Sequence, residues 1–156
     1  MRSNDTARRA PATIEEQRII RDLARFRYSL RRFLRFSEKA ARRCGLTPQQ
    51  HQLLLGIAGF AEDGAATISE LAEFLQERNN SVVGLVERAA EAGLVRRRNA
   101  ALDRRQVVVT MTVRGARILA KLSRLHHDEV RRMRAGFGPD GVASPSVQHS
   151  KRTAAQ

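Results

Sequence analysis

Between Thr47 and Thr112 the chain is cut by helix starts and stops set so close together that only short elements fit between them. Gly45 stops whatever precedes it. Thr47-Pro48-Gln49-Gln50 then has the form of a helix start: a hydroxyl to cap, a proline at the tolerated first position and a glutamine to reach back. Leu53, Leu54, Ile57 and Ala58 give that helix its apolar side, and the pattern fades near Gly64. Thr67-Ile68-Ser69-Glu70 repeats the capping signature and predicts a short helix from Ser69 to about Leu75. After a break at 76–78, Asn79 or Asn80 is expected to cap a third helix, with Val82, Leu85, Val86 and Ala89 turned inward and Gly93 in the stop position.

Beyond Gly93 the period changes. Leu94 to Arg98 and Gln106 to Met111 are rich in β-branched and basic residues around a polar tip at 99–105, which predicts a hairpin. Thr112 then caps a last long helix with a stripe of Ile118, Leu119, Leu122, Leu125 and Val130. Before all this, apolar residues recur every three or four positions from Ile14 to about Arg43, including Ile19, Leu23, Phe26 and Leu30, with Arg18, Arg21, Arg25, Arg31, Arg32 and Arg35 between them. A helix of about 30 residues is long for a small domain and suits burial against a second copy as well as the chain's own core.

The predicted fold is mainly α with a small β-hairpin wing: a winged helix-turn-helix between long flanking dimerisation helices. Its parts are an N-terminal arm (1–12), a long dimerisation helix (13–44), the DNA-binding unit (45–112), a second dimerisation helix (113–134) and a Gly/Pro/Ser-rich tail (135–156). The expected seam between copies uses Leu23, Phe26, Leu30, Ile118, Leu122 and Leu125.

Charge indicates the partner. The 156 residues carry a formal net charge of +13, and its placement says more than its size. Residues 1–44 sum to +8, 45–77 to −5 with no Lys or Arg, 78–117 to +6 and 118–156 to +4. A polyanion is the natural partner, since neutralised phosphates release condensed counterions. The helix after the break is the one placed to enter a major groove. It leaves Arg78, Asn79, Asn80, Ser81, Val83, Gly84 and Arg88 facing outward, where Asn can pair with adenine and Ser adapts to base or phosphate. Arg97 lies on the wing strand, and the tip brings Arg104 and Arg105 to a neighbouring minor groove, whose narrow stretches attract guanidinium groups.

Other chemistry finds little support. There is no HExxH, no phosphate-cradling glycine loop and no nucleophile elbow, so no catalysis, cofactor or metal is expected. Adjacent helical residues point about 100° apart, so His126 and His127 cannot chelate one ion, and His126 to Glu129 read as a solvated helix face. His51 reads as an interface or pocket residue. The thiolate of Cys44 would be favoured by Arg42 and Arg43 but opposed by the helix dipole, which leaves it structural. No apolar run approaches the roughly 20 residues of a membrane span, and the polar start lacks a secretory signal, so a cytoplasmic location is expected.

In register along the chain stand Leu46-Thr47-Pro48-Gln49-Gln50, Ile68-Ser69-Glu70-Leu71-Ala72, Ser81 to Arg88, Ala92-Gly93-Leu94-Val95-Arg96-Arg97, Asp103-Arg104-Arg105 and Thr112-Val113-Arg114-Gly115. This series resembles the MarR family of transcription regulators over residues 14 to about 134. The resemblance implies a homodimer on palindromic double-stranded DNA, a ligand-responsive repressor, and a small phenolic or aromatic ligand that weakens DNA binding. It also implies that Asp103 orients the wing tip while Arg105 reaches the minor groove. The sequence departs from the family at Val83 and Gly84, where relatives carry polar or basic residues, and at Ala89, where Leu is common. The family's last helix, which clasps the partner, has no counterpart in the tail. Two other readings compete: a nonspecific architectural DNA-binding winged-helix protein, and a protein–protein module built on the same fold.

Overall fold

The computed structural model describes residues 13–59, 64–99 and 107–135. Five helices and three strands are arranged in the order α1 (Ile14–Arg43), α2 (Pro48–Gly59), β1 (Ala65–Thr67), α3 (Ile68–Leu75), α4 (Asn79–Glu91), β2 (Val95–Asn99), β3 (Val107–Met111) and α5 (Val113–Ala135).

The start signals work as their chemistry requires. Ahead of α1, the Thr13 hydroxyl accepts from the Glu16 amide while the Glu16 carboxylate accepts from the Thr13 amide. Thr47 and Gln50 repeat the exchange at 3.0 and 3.1 Å, and Thr67 with Glu70 at 2.7 and 3.2 Å. Each pair satisfies two amides that a helix start would leave orphaned. The stop at Gly93 is equally explicit. With φ +66, a conformation open to glycine, its amide bonds to Ala90 O and the Leu94 amide returns to Ala89 O, both at 2.9 Å.

Three boundaries differ from the sequence reading. Helix α3 begins at Ile68, because Thr67 itself is the cap. Helix α4 begins at Asn79 with Arg78 as its N-cap, and no side chain caps it, so Asn79 and Asn80 are first-turn residues and not caps. The start of α4 is fixed from behind: Gln76 turns left-handed at φ 54 and the Glu77 amide bonds back to Ala72 O at 3.0 Å. Helix α5 runs through Ala135, where the tail was expected to begin.

The hairpin proves to be part of a three-stranded antiparallel sheet in the order β1-β3-β2. β1 pairs Ala66 with Val109, and β2 pairs Arg97 with the same Val109, so β3 is central. Three residues are too few to show an alternating pattern, and pairing with β3 is what makes β1 a strand.

One aliphatic core joins these elements: Leu46, Leu53, Leu54, Ile57, Leu71, Val82, Val86, Leu94, Val109 and Leu122 are all buried. Cys44, at the C-cap of α1, packs against it. Leu122 is 0% exposed within its own chain, which corrects its assignment to a seam between copies: it belongs to the core. Ile118 is partly buried against that core, whereas Leu23, Phe26, Leu30 and Leu125 are exposed.

Two glycines set the closest approaches. A Cβ on Gly115 would collide with the Leu94 carbonyl oxygen, so α5 starts in contact with the backbone that leads into β2. A Cβ on Gly56 would lie 2.9 Å from the Phe74 ring, so side chains of α3 pack onto the bare backbone of α2.

Candidate nucleic-acid interface

The surface of interest starts from α4, whose two sides differ completely. Val82, Leu85, Val86 and Ala89 are buried, as expected, against the core that α3 shares through Leu71 and Ala72. On the opposite side Arg78, Asn79, Asn80, Ser81 and Arg88 are exposed, with Val83 and Gly84 half-buried. Because Arg78 supplies no side-chain cap, the first amides of α4 stay open towards that side, where the helix dipole favours an anion.

β2 runs beside this helix. Arg96, Arg97 and Arg98 are all exposed, and Arg97 Nη1 donates to Glu87 Oε1 at 3.2 Å. That bond ties the wing strand to the outer half of α4. It also occupies the guanidinium of Arg97, a residue expected to reach DNA, in holding the two elements together. Glu87 went unnoticed in the sequence, since its partner lies ten positions away on another element. Asp103, Arg104 and Arg105 lie outside the described residues, as do the 1–12 arm and the tail from 136 onward. The last described pair before the tip is Asn99 with Val107.

The rear of α4 is clamped from α5. Thr112 Oγ1 donates to Gly93 O at 2.7 Å, lies 3.1 Å from Leu94 O and accepts from the Gly115 amide at 3.0 Å. Arg114 Nη1 donates to Ala92 O at 3.0 Å. The long last helix is therefore coupled to the C-terminus of α4 through backbone acceptors.

A second polar group stands where α1, α2 and α5 meet, and it revises the reading of His126. That residue does not lie on a solvated face. Its Nδ1 is 2.8 Å from Leu122 O and its Nε2 is 2.8 Å from Ser37 Oγ. A carbonyl only accepts, so Nδ1 carries a proton towards Leu122 O, and Nε2 shares a hydrogen bond with the Ser37 hydroxyl. Phe33 and Phe36 present ring edges to it, and His51 lies 4.8 Å away. His51 is 2% exposed, and burial, with the neighbouring His126 adding to it, pushes its pKa down to about 4. His127 and Asp128 are exposed, and Glu129 pairs with Arg132 at 2.7 Å. Among the described residues no group of His, Cys, Asp or Glu is placed to hold a metal, and no helix is long and apolar enough to cross a membrane.

The model of the MarR family matches residues 45–106, the span from the start of α2 to the wing. Over that span the chain is similar to the MarR-family winged helix. The MarR-family regulator AbsC of Streptomyces coelicolor is 26% identical over 78% of this chain and 80% of its own, with a TM-score of 0.65. A second S. coelicolor MarR-family regulator, solved in complex with DNA, is 22% identical over 83% and 79%, with a TM-score of 0.66. A cysteine-to-serine mutant of E. coli MarR with operator DNA is 21% identical over 83% and 91%, at 0.63. No curated protein matches the sequence. MarR-family proteins are DNA-binding transcriptional regulators and not enzymes, in line with the expectation that this chain catalyses no reaction.

Proposed function

We propose that this MarR-family chain is a homodimeric repressor that acts in the cytoplasm on one palindromic operator. Two copies of α4 enter successive major grooves about 10 base pairs apart, and the two wings reach the flanking minor grooves. The observation that carries this reading is the shared surface of the open α4 start, from Arg78 to Ser81, and the arginine-bearing β2 strand tied to α4 through Glu87. Asn79, Asn80 and Ser81 supply groove-facing donors and acceptors, Arg78 and Arg88 supply cations, and Asp103, Arg104 and Arg105 are the further contact residues assigned to the wing.

The second copy is implied by α1. Leu23, Phe26 and Leu30 are exposed on its outer two-thirds, and Leu125 extends the same apolar character onto α5. In a single chain that stripe faces water, and a second α1 is its natural cover. A small phenolic or aromatic effector belongs at the junction of α1, α2 and α5, because a change in packing there would move the two α4 helices relative to each other.

Footprinting of purified full-length protein on genomic DNA tests the reading. One palindromic site should survive excess random duplex, and small phenols are then screened against that site. Binding that random duplex competes away equally well would replace the operator reading with an architectural one. Arg105→Ala should weaken the site and lower the slope of log K against log salt by about one per wing. An unchanged slope removes the wing from the contact surface.

A further inference from the structure

A glycine in the middle of an exposed helix face weakens the helix and offers no side chain to a ligand. Gly84, half-buried, stands on the outward side of α4, three and four residues after Ser81 and Asn80 and four before Arg88. The space it leaves is occupied. A Cβ on Gly84 would lie 3.3 Å from Arg88 Nη1, so the guanidinium folds back one turn and lies over position 84. Side chains on a helix lean towards its N-terminus, and here the lean carries the Arg88 guanidinium over Gly84.

Two further facts bear on what that guanidinium can do. No ion pair within 4.0 Å involves Arg88 among the described residues, and the neighbouring acid Glu87 is held by Arg97 at 3.2 Å. Its charge is therefore left for an outside acceptor. Its position also matters. Extended from 88, the side chain would reach to the flank of the helix, where the phosphates of a bound duplex run. Folded over 84, it stays near the line through Asn80, the side that the operator-binding reading turns to the base edges.

Resting on the operator-binding reading, we infer that Arg88 is the principal base-reading side chain of α4 and that Gly84 is the notch that positions it. The partner chemistry is a guanine in the major groove, whose O6 and N7 accept the two parallel N–H bonds of a guanidinium.

The test is selection from a randomised duplex pool with the full-length chain, its Gly84→Ala, Arg88→Lys and Arg88→Ala variants, and a thermal melt of each. The wild type should recover a palindrome with one fixed guanine per half-site. Arg88→Ala should lose about tenfold or more of the preference at that base and keep the others, and Arg88→Lys should lose it too, since an ammonium does not fork. Gly84→Ala should melt no lower than wild type and yet weaken the same guanine about fivefold, which separates readout from folding. An unchanged preference in Gly84→Ala overturns the notch, and a uniform loss across all sequences in Arg88→Ala makes that residue a phosphate anchor. If the wild type recovers no sequence at all, the operator reading itself falls, and this inference falls with it.

Discussion

The DNA-binding lobe and the first helix use their apolar residues in opposite ways. In the lobe, Leu53, Leu54, Ile57 and Val86 are 0% exposed and the core closes within one chain. Along α1, Ile19 and Leu23 are 57% exposed and Phe26 is 49%, while burial is confined to Ser37, Ala40 and Ala41 near its C-terminal end. Both regions have clean helical periodicity, so periodicity alone does not say whether a stripe meets its own chain or another. The lobe is a finished unit. The helix leaves its outer stripe exposed.

The strongest way to break the finished unit is at Gly115. An added methyl there has no room beside the Leu94 carbonyl, and that oxygen belongs to the segment joining α4 to β2. Gly115→Ala should cost on the order of 3 kcal/mol or more, within the range of severe packing changes, and should loosen the wing along with α5. A urea titration checks it. Stability within about 1 kcal/mol of wild type would mean that α5 moves away without loss and that the contact is incidental.

The unfinished region is tested by making its stripe polar. Leu23→Ser with Phe26→Ser should leave the lobe's melting behaviour nearly unchanged, because both side chains lie outside the core. Self-association should weaken by about two orders of magnitude, the scale expected when two apolar anchors are removed from an interface. Sedimentation velocity across a dilution series gives the answer. Equal association of variant and wild type would place the seam elsewhere.

Much of this architecture could be read from local chemistry. The Thr47 and Thr112 starts, the Gly93 stop and the inward set of α4 each depend on residues close to one another in the chain, and each stands where expected, while the Thr67 signature starts its helix one residue earlier. The misreadings depend on distance along the chain. Ser37 and His126 are 89 positions apart, so their bond leaves no local trace, and a histidine on a polar stretch passes for a solvated one. β1 exists only through β3. Leu122 and Leu125 share one stripe, yet only the three-dimensional packing sends the first into the core and leaves the second outside. At the candidate DNA surface, the outward residues of α4 followed from its period, but the bond from Glu87 to Arg97 and the seat of Arg88 over Gly84 needed the fold.

The smallest of the expected effects lies at the joint between the two regions. Ser37 and His126 belong to the flanking helices and His51 to the lobe, and buried Ser37 and His51 meet the half-buried His126 there. Burial, reinforced by the adjacent His126, lowers the pKa of His51 from the usual 6.5 to about 4, so the folded protein holds it neutral while the unfolded chain takes up a proton first. Between those two values the unfolded state binds more protons, and stability therefore falls as pH falls. The contribution is fully present above about pH 7 and fades through the interval down to pH 4, with a loss on the order of 2 kcal/mol by about pH 5. His51→Leu, which keeps the apolar surroundings filled and cannot take a proton, should flatten this segment of the stability profile in urea titrations from about pH 7.5 to about pH 5. If the variant keeps the wild-type slope, the acid sensitivity comes from another group, and the joint between lobe and helices owes nothing to the neutral state of His51.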